Sequence, residues 1–454
     1  MNLFQKTHFK MIKKVTYSFF ILFHFSLSSQ DLPDSFSLNS AIEWGMDYNK
    51  TIQKSNLELQ KAYKEKWKTI SIGLPQIRAN LSYQSFLEQP VSLIPAEFFG
   101  GVKGDYAEVV FGTEQTAVGF AEINQLLFDG TYIIGVQGLK HYIDTAKNVL
   151  EKSQIEIKKA IIIAYVNTLA AGENISVIEK NLMVLNKNLK EIRELFKNGF
   201  SEEEDFEQIK LTISKLKTQF KYAKESYKLS FDILKLLLGI ELDKKLKLSD
   251  SLESLTIKNL SYESIDNNYS NNIDIRLAEN KVIEEKFLFR LEKAKGLPSL
   301  SAFLNGSYVG NSNEFTFNEK EQKWFGSSAF GLRIEVPVFS SFGRHAKSQK
   351  AKLSLQQAEK NLTEVKSKVY VEMRKAQNNF NLAKENYFTA IDNLKLAERI
   401  EKKNIIKFFE GMSGSFQLTQ AQQQLYQAQQ SKIQSMRSVI IEKTNLENIL
   451  NNKN

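Results

Sequence analysis

Side chains able to do chemistry are scarce in this chain. Its 454 residues hold no cysteine and four histidines. Without Cys there is no thiolate metal site, thiol nucleophile or disulfide framework, and no thiol to carry a lipid anchor. Only His141 and His345 lie beyond the first thirty residues. Each stands alone near the start of a long helical stretch, and no His/Asp/Glu cluster has metal-ligand spacing. Gly130, Gly135 and Gly138 do not make a dinucleotide fingerprint, and there is no P-loop or nucleophile elbow. The expectation is a protein that is not an enzyme, with no catalytic residue, cofactor or metal.

The informative spacings are of another kind. Gly199-x-Ser201 recurs as Gly411-x-Ser413, 212 residues on. Such a glycine can take φ > 0 and reverse the chain, and the serine can N-cap a returning helix. Glu202, Glu203 and Glu204 follow the first turn, where acids favour the helix dipole. Gln417 and Gln420 follow the second.

A duplicated plan must position these turns. Gly73-Leu74-Pro75 recurs as Gly296-Leu297-Pro298, and Asn49-x-x-Ile52 as Asn272-x-x-Ile275, both at an offset of 223. Leu237-Leu238-Gly239 matches Ile449-Leu450-Asn451 at 212. Each copy reads as a helix ending in Gly-Leu-Pro, two strands about a polar loop, a very long helix, a turn and a second helix. Ile178, Leu182, Leu185, Leu189, Ile192 and Phe196 step by four and three residues, the rhythm of a left-handed coiled-coil seam. Ile77, Ala79, Leu81 and Tyr83 alternate with polar neighbours, as do Phe330, Leu332, Ile334 and Val336. Strands of this kind suit a half-buried sheet or a membrane barrel. Four strands cannot close a barrel, so spanning a membrane would require more than one copy.

Composition agrees with long helices. The six prolines are Pro33, Pro75, Pro90, Pro95, Pro298 and Pro337, leaving two long Pro-free stretches. Net charge is +9, with four lysines and no acid in the first thirty residues, which gives no case for nucleic acid. Lys13-Lys14 and the apolar run 15–25, followed by Ser26, Ser28 and Ser29, read as a secretory signal. Met1 and Met11 are both open as the start. Beyond it no stretch is expected to cross a membrane as a helix; the richest run, Ile161–Val166, is too short. The expected organisation is a signal peptide over 1–29 and repeat one over 30–240. Repeat one holds strands near 75–88 and 114–128 and a helical hairpin at 131–238. A linker follows at 241–261. Repeat two covers 262–454, with strands near 298–310 and 326–339 and a hairpin at 344–450. The fold class is mainly α with a small membrane β part.

Ser37-Leu38-x-x-Ala41-Ile42, the two Gly-Leu-Pro strand entries, Leu127-Phe128-Asp129-Gly130 and Leu418-x-x-Ala421-Gln422 together resemble the TolC-like outer-membrane efflux proteins. The resemblance implies a homotrimer whose twelve strands form an outer-membrane β-barrel, embedded in lipid and continuous with a periplasmic α-barrel. It implies a passive conduit partnered by an inner-membrane transporter and a periplasmic adaptor docking near Gly199, Ser201, Gly411 and Ser413. The family often carries two Asp where this chain has Gln417 and Gln420, so an amide-lined entrance with weaker cation binding is expected. The exit duct of a type I protein secretion system is an alternative on the same architecture. A secreted coiled-coil scaffold or adaptor is an alternative of another class.

Overall fold

The computed structural model describes residues 33–260 and 269–450. The expected signal peptide lies outside the described residues. Each repeat carries, ahead of its Gly-Leu-Pro, a helix N-capped by an asparagine. Helix α1 (Leu38–Tyr48) leads into α2 (Lys50–Ser71), capped by Asn49. Its counterpart α6 (Ile273–Ala294) is capped by Asn272. Both asparagines are buried, and both send the side-chain amide to the end of a distant helix. Asn49 donates to the Leu237 carbonyl at 2.7 Å and Asn272 to the Ile449 carbonyl at 2.8 Å. The duplication seen in the sequence is thus a duplication of hydrogen bonds.

After each Gly-Leu-Pro the chain enters one four-stranded antiparallel sheet of order β1-β4-β5-β6. Its strands are β1 (Gln76–Ser85), β4 (Gln115–Phe128), β5 (Ser299–Ser312) and β6 (Trp324–Glu335). The loop after β1 contains a further hairpin of β2 (Val91–Pro95) and β3 (Tyr106–Val110). Registers align Ile77, Ile123, Leu304 and Phe330 across all four strands.

The long helices follow: α3 (Gly130–Lys197) and α4 (Glu203–Leu238) in repeat one, α7 (Gly343–Phe409) and α8 (Ser415–Leu450) in repeat two. At 1.5 Å per residue, α3 is about 100 Å long. An 18-residue window within it is apolar enough to cross a membrane, which corrects the expectation that no such stretch exists. Nearly half of that window is buried in the molecule, so its apolarity belongs to the core.

That core surrounds the middle of α3. Tyr165, Ile161 and Val166 pack with Phe36, Leu234, Leu238, Val439 and Ile440, each fully buried aliphatic contributing about 1.5–3 kcal/mol. The segment expected to be a linker is part of it. Within 241–260 lies helix α5 (Leu252–Leu260), and its Leu252 and Leu255 are buried in this core. Ser249 N–H donates to the Phe36 carbonyl, tying the segment to the start of the chain. Its short apolar spacing is too brief to mark a helix without these partners. A second core, nearer the turns, joins Ile178, Leu185, Ile192, Ile209, Ile213, Phe408 and Leu418.

Between the cores the two hairpins are joined by polar rungs from α3 to α8. Arg437 Nε donates to Asn167 Oδ1. Gln430 Nε2 donates to Asn174 Oδ1 at 2.7 Å, and Asn181 Nδ2 to Gln429 Oε1 at 2.7 Å. The asparagines are seven residues apart, a coiled-coil period in which a polar side chain fixes register. One heptad on, Asn188 and Gln422 are buried with amide atoms that have no partner.

Candidate functional site

The sheet has two chemically different faces. One carries Ile77, Leu81, Tyr83, Leu304, Tyr308, Phe330, Leu332 and Ile334, all exposed. Glycines on this face receive neighbouring rings: Gly310 lies under Trp324 and Gly326 under Tyr308. Trp324 and Tyr83 join Phe315 and Phe317 in an aromatic cluster at the loop end. The ten residue steps from Trp324 to Ile334 cover about 33 Å along the strand, or about 25 Å in height at a barrel's usual tilt.

The opposite face is mixed, with polar side chains set among Val118, Phe120, Phe303, Val309 and Phe325. The Arg78 guanidinium lies 3.7 Å from the Glu122 carboxylate. Thr116 donates to Asn311 at 3.1 Å, and the Ser307 and Ser327 hydroxyls are 2.8 Å apart. Arg333 lies over the Phe303 ring. Strands β1 and β6 are the free edges.

The far ends of the helical hairpins are the second feature. Gly199 and Gly411 have φ of +77° and +71°. The Gly199 N–H donates to the Phe196 carbonyl and the Gly411 N–H to the Phe408 carbonyl, so both turns close alike. The serines are not the expected caps. Helix α4 begins at Glu203, with Glu202 as its cap, and α8 begins at Ser415. The Ser201 hydroxyl instead donates to Asp205 Oδ2 at 2.9 Å, and the Ser413 hydroxyl is buried without a partner.

Asp205 does the capping for both hairpins. Its Oδ2 accepts from the Glu202 N–H at 3.3 Å, and its Oδ1 accepts from the Ser415 N–H at 3.1 Å, 210 residues away. A carboxylate between two helix N-termini is favoured by both dipoles and outcompetes a neutral hydroxyl. Burial alone would raise its pKa, but the hydrogen bonds from Ser415, Ser201 and Glu202 outweigh it and hold the carboxyl below 3.8. Asp205 therefore links the two turns.

Gln417 and Gln420 are exposed on α8, one turn past the second tip. Phe200, Met412 and Phe416 are also exposed there, Phe200 at 81%. These apolar tip residues escape a periodicity reading because they lie outside the helical seams. The bond from Asp205 escapes it because its partner is distant in sequence. The asparagine rungs did carry a signal, the seven-residue spacing itself. Of the two histidines, His141 packs against Phe287 of α6, with ring centres 5.3 Å apart. Among the described residues, no group of three His, Asp or Glu side chains could hold a metal ion.

Residues 265–452 match a family model described as outer membrane efflux protein. Solved structures with the same fold align over 91% of this chain. The structure of CusC, described in terms of folding and transmembrane channel formation, has a TM-score of 0.74 at 16% identity over 91% of its own chain. The outer membrane protein VceC from Vibrio cholerae gives 0.70 at 14% identity, over 95% of its chain. The MtrE outer membrane channel from Neisseria gonorrhoeae, in its open state, gives 0.68 at 16%, over 88%. No curated protein matches the sequence significantly.

Proposed function

We propose that this chain, which matches the outer membrane efflux protein model over residues 265–452 and shares its fold with the CusC structure over 91% of its length, is the passive exit duct of a tripartite efflux system. The observation that carries this reading is the open, two-faced sheet joined directly to helices about 100 Å long. In lipid every backbone group needs a partner, and four strands leave two edges bare. Strands β1 and β6 run in opposite directions, so copies can pair edge to edge in the antiparallel sense. Three copies give twelve strands, enough for a water-filled lumen where eight would be filled by side chains. The Leu81 face then meets lipid of the outer membrane and the Arg78–Glu122 face lines the lumen.

The helical hairpins extend into the periplasm as a second barrel. Their ends, at Gly199, Ser201, Gly411 and Ser413, meet a periplasmic adaptor through the bare Phe200, Met412 and Phe416. Gln417 and Gln420 line the periplasmic entrance with amides. An inner-membrane transporter supplies the energy. Small molecules are the cargo of this reading; a secretion duct for proteins would use the same conduit. Membrane fractionation, cross-linking and planar-bilayer conductance test it. A heat-modifiable, conducting trimer in the outer membrane is expected. A soluble monomer without conductance would overturn the channel in favour of a secreted scaffold.

A further inference from the structure

We infer that a second, unoccupied set of asparagine rungs forms the seam between neighbouring copies: Asn379, Asn386 and Asn393 on α7 meet Glu225, Thr218 and Lys217 on α4 of the next copy. This rests on the multi-copy barrel just proposed and supplies its contacts in the helical part.

The two repeats superimpose in sequence without a gap along their long helices. At an offset of 212, Ile161 matches Met373, Ala164 matches Ala376, Thr168 matches Phe380, Ile178 matches Ala390 and Leu185 matches Ala397, and all ten are buried. The same offset carries Asn167, Asn174 and Asn181 onto Asn379, Asn386 and Asn393. The seven-residue asparagine period is therefore present twice, in the same phase relative to the buried seam.

In repeat one the asparagines are satisfied by Arg437, Gln430 and Gln429 of α8. The positions on α4 equivalent to those three, again at 212, are Glu225, Thr218 and Lys217. All three are exposed in a single chain, as are Asn386 and Asn393. Asn379 is half-buried and reaches Glu442 only at 3.5 Å. Among the described residues, the ion pair of Glu225 is with Lys228 on its own helix, and it is exposed. The chemistry on the two faces is complementary. An Asn amide N–H can donate to the Glu225 carboxylate, and an Asn carbonyl can accept from the Thr218 hydroxyl or the Lys217 ammonium.

The flanking side chains point to the same occupant. Leu382 and Phe388 on α7, and Tyr222 and Leu229 on α4, are large apolar groups left more than half exposed. Leu382 corresponds to Ala170, which is buried in repeat one. A face of one repeat that is covered, and the matching face of the other that is bare, is what a ring of alternating repeats produces. Each copy shows one seam internally and must form its equivalent with a second copy of this chain.

The absence of native cysteine makes the test direct. Asn386→Cys with Thr218→Cys, and separately Asn393→Cys with Lys217→Cys, are treated in outer membranes with a short thiol-reactive cross-linker. Denaturing electrophoresis should move most of the chain to dimer and trimer mass, with no shift for any single variant. Asn174→Cys with Gln430→Cys is the internal control and should cross-link within the chain, remaining at monomer mass. Native mass of the unmodified protein is measured alongside. A trimer whose two inter-copy pairs stay monomeric while the internal control reacts overturns the seam and leaves the channel standing. An unmodified protein that is monomeric in the membrane overturns the channel reading itself.

Discussion

Gly239 and Gly411 share a backbone conformation, both at φ +71°, yet they should respond differently to an added methyl. At Gly411 nothing lies within reach of a Cβ, so Gly411→Ala should cost about 1–2 kcal/mol, the left-handed penalty alone. At Gly239 the new Cβ would collide with the Tyr48 carbonyl oxygen, so Gly239→Ala should cost more. Thermal unfolding of the detergent-solubilised protein ranks the two. Asp205 has a functional readout. Asp205→Ala should raise single-channel conductance at neutral pH by releasing Ser415 from the first tip. Because its pKa is lowered, the stabilisation from Asp205 is complete above the unfolded value near 3.8 and is lost as pH falls through the lower folded value. Conductance of the unmodified channel should therefore hold steady down to at least pH 3.8, with any rise confined to stronger acid. Gln417→Asp should increase cation selectivity in reversal-potential measurements; an unchanged selectivity would place Gln417 away from the ion path.

At the scale of elements, the caps of α2 and α6 are load points between distant parts of the chain. Asn49→Ala and Asn272→Ala each remove a helix cap and strand a buried carbonyl, and each should cost about 1–3 kcal/mol in unfolding experiments. Their matched positions were visible in the sequence because a cap and its glycine or proline punctuation are local signals. The long helices were visible for a related reason: the three–four seam repeats over many turns and no proline interrupts it. Helix α5 was not, since nine residues hold too little periodicity and it is packing into the main core, against α8 and α3, that makes them a packed element. Nor could the caps of α4 and α8 be placed. Serine after a glycine turn is a good local candidate, but Asp205 reaches Ser415 through space and displaces it. Local chemistry was legible, and competition from residues two hundred positions away was not.

The whole molecule is poorly suited to life as a single copy. It exposes 31241 Å², against roughly 17,500 Å² expected for a compact protein of its mass. Among the described residues, large apolar side chains of the sheet and of the long helices, such as Leu81, Phe330, Tyr222 and Leu382, are left exposed on faces that the proposed assembly covers. The two sheet faces can be told apart by charge. Leu81→Arg on the lipid face should destabilise the barrel by about 2–4 kcal/mol and reduce the conducting population. Asn80→Arg, its neighbour on the opposite face, should leave assembly intact and shift ion selectivity.

The distance between the main core and the tips has a mechanical consequence. From Tyr165 to Lys197 helix α3 runs 32 residue steps, roughly 50 Å. Each hairpin is thus a lever with its fulcrum in the main core around Tyr165 and its free end at the tip turn. A tilt of about 10° at the fulcrum would sweep the tip through roughly 9 Å over that length. The same ratio works in reverse: a small force applied at the tips exerts a large torque on the main core.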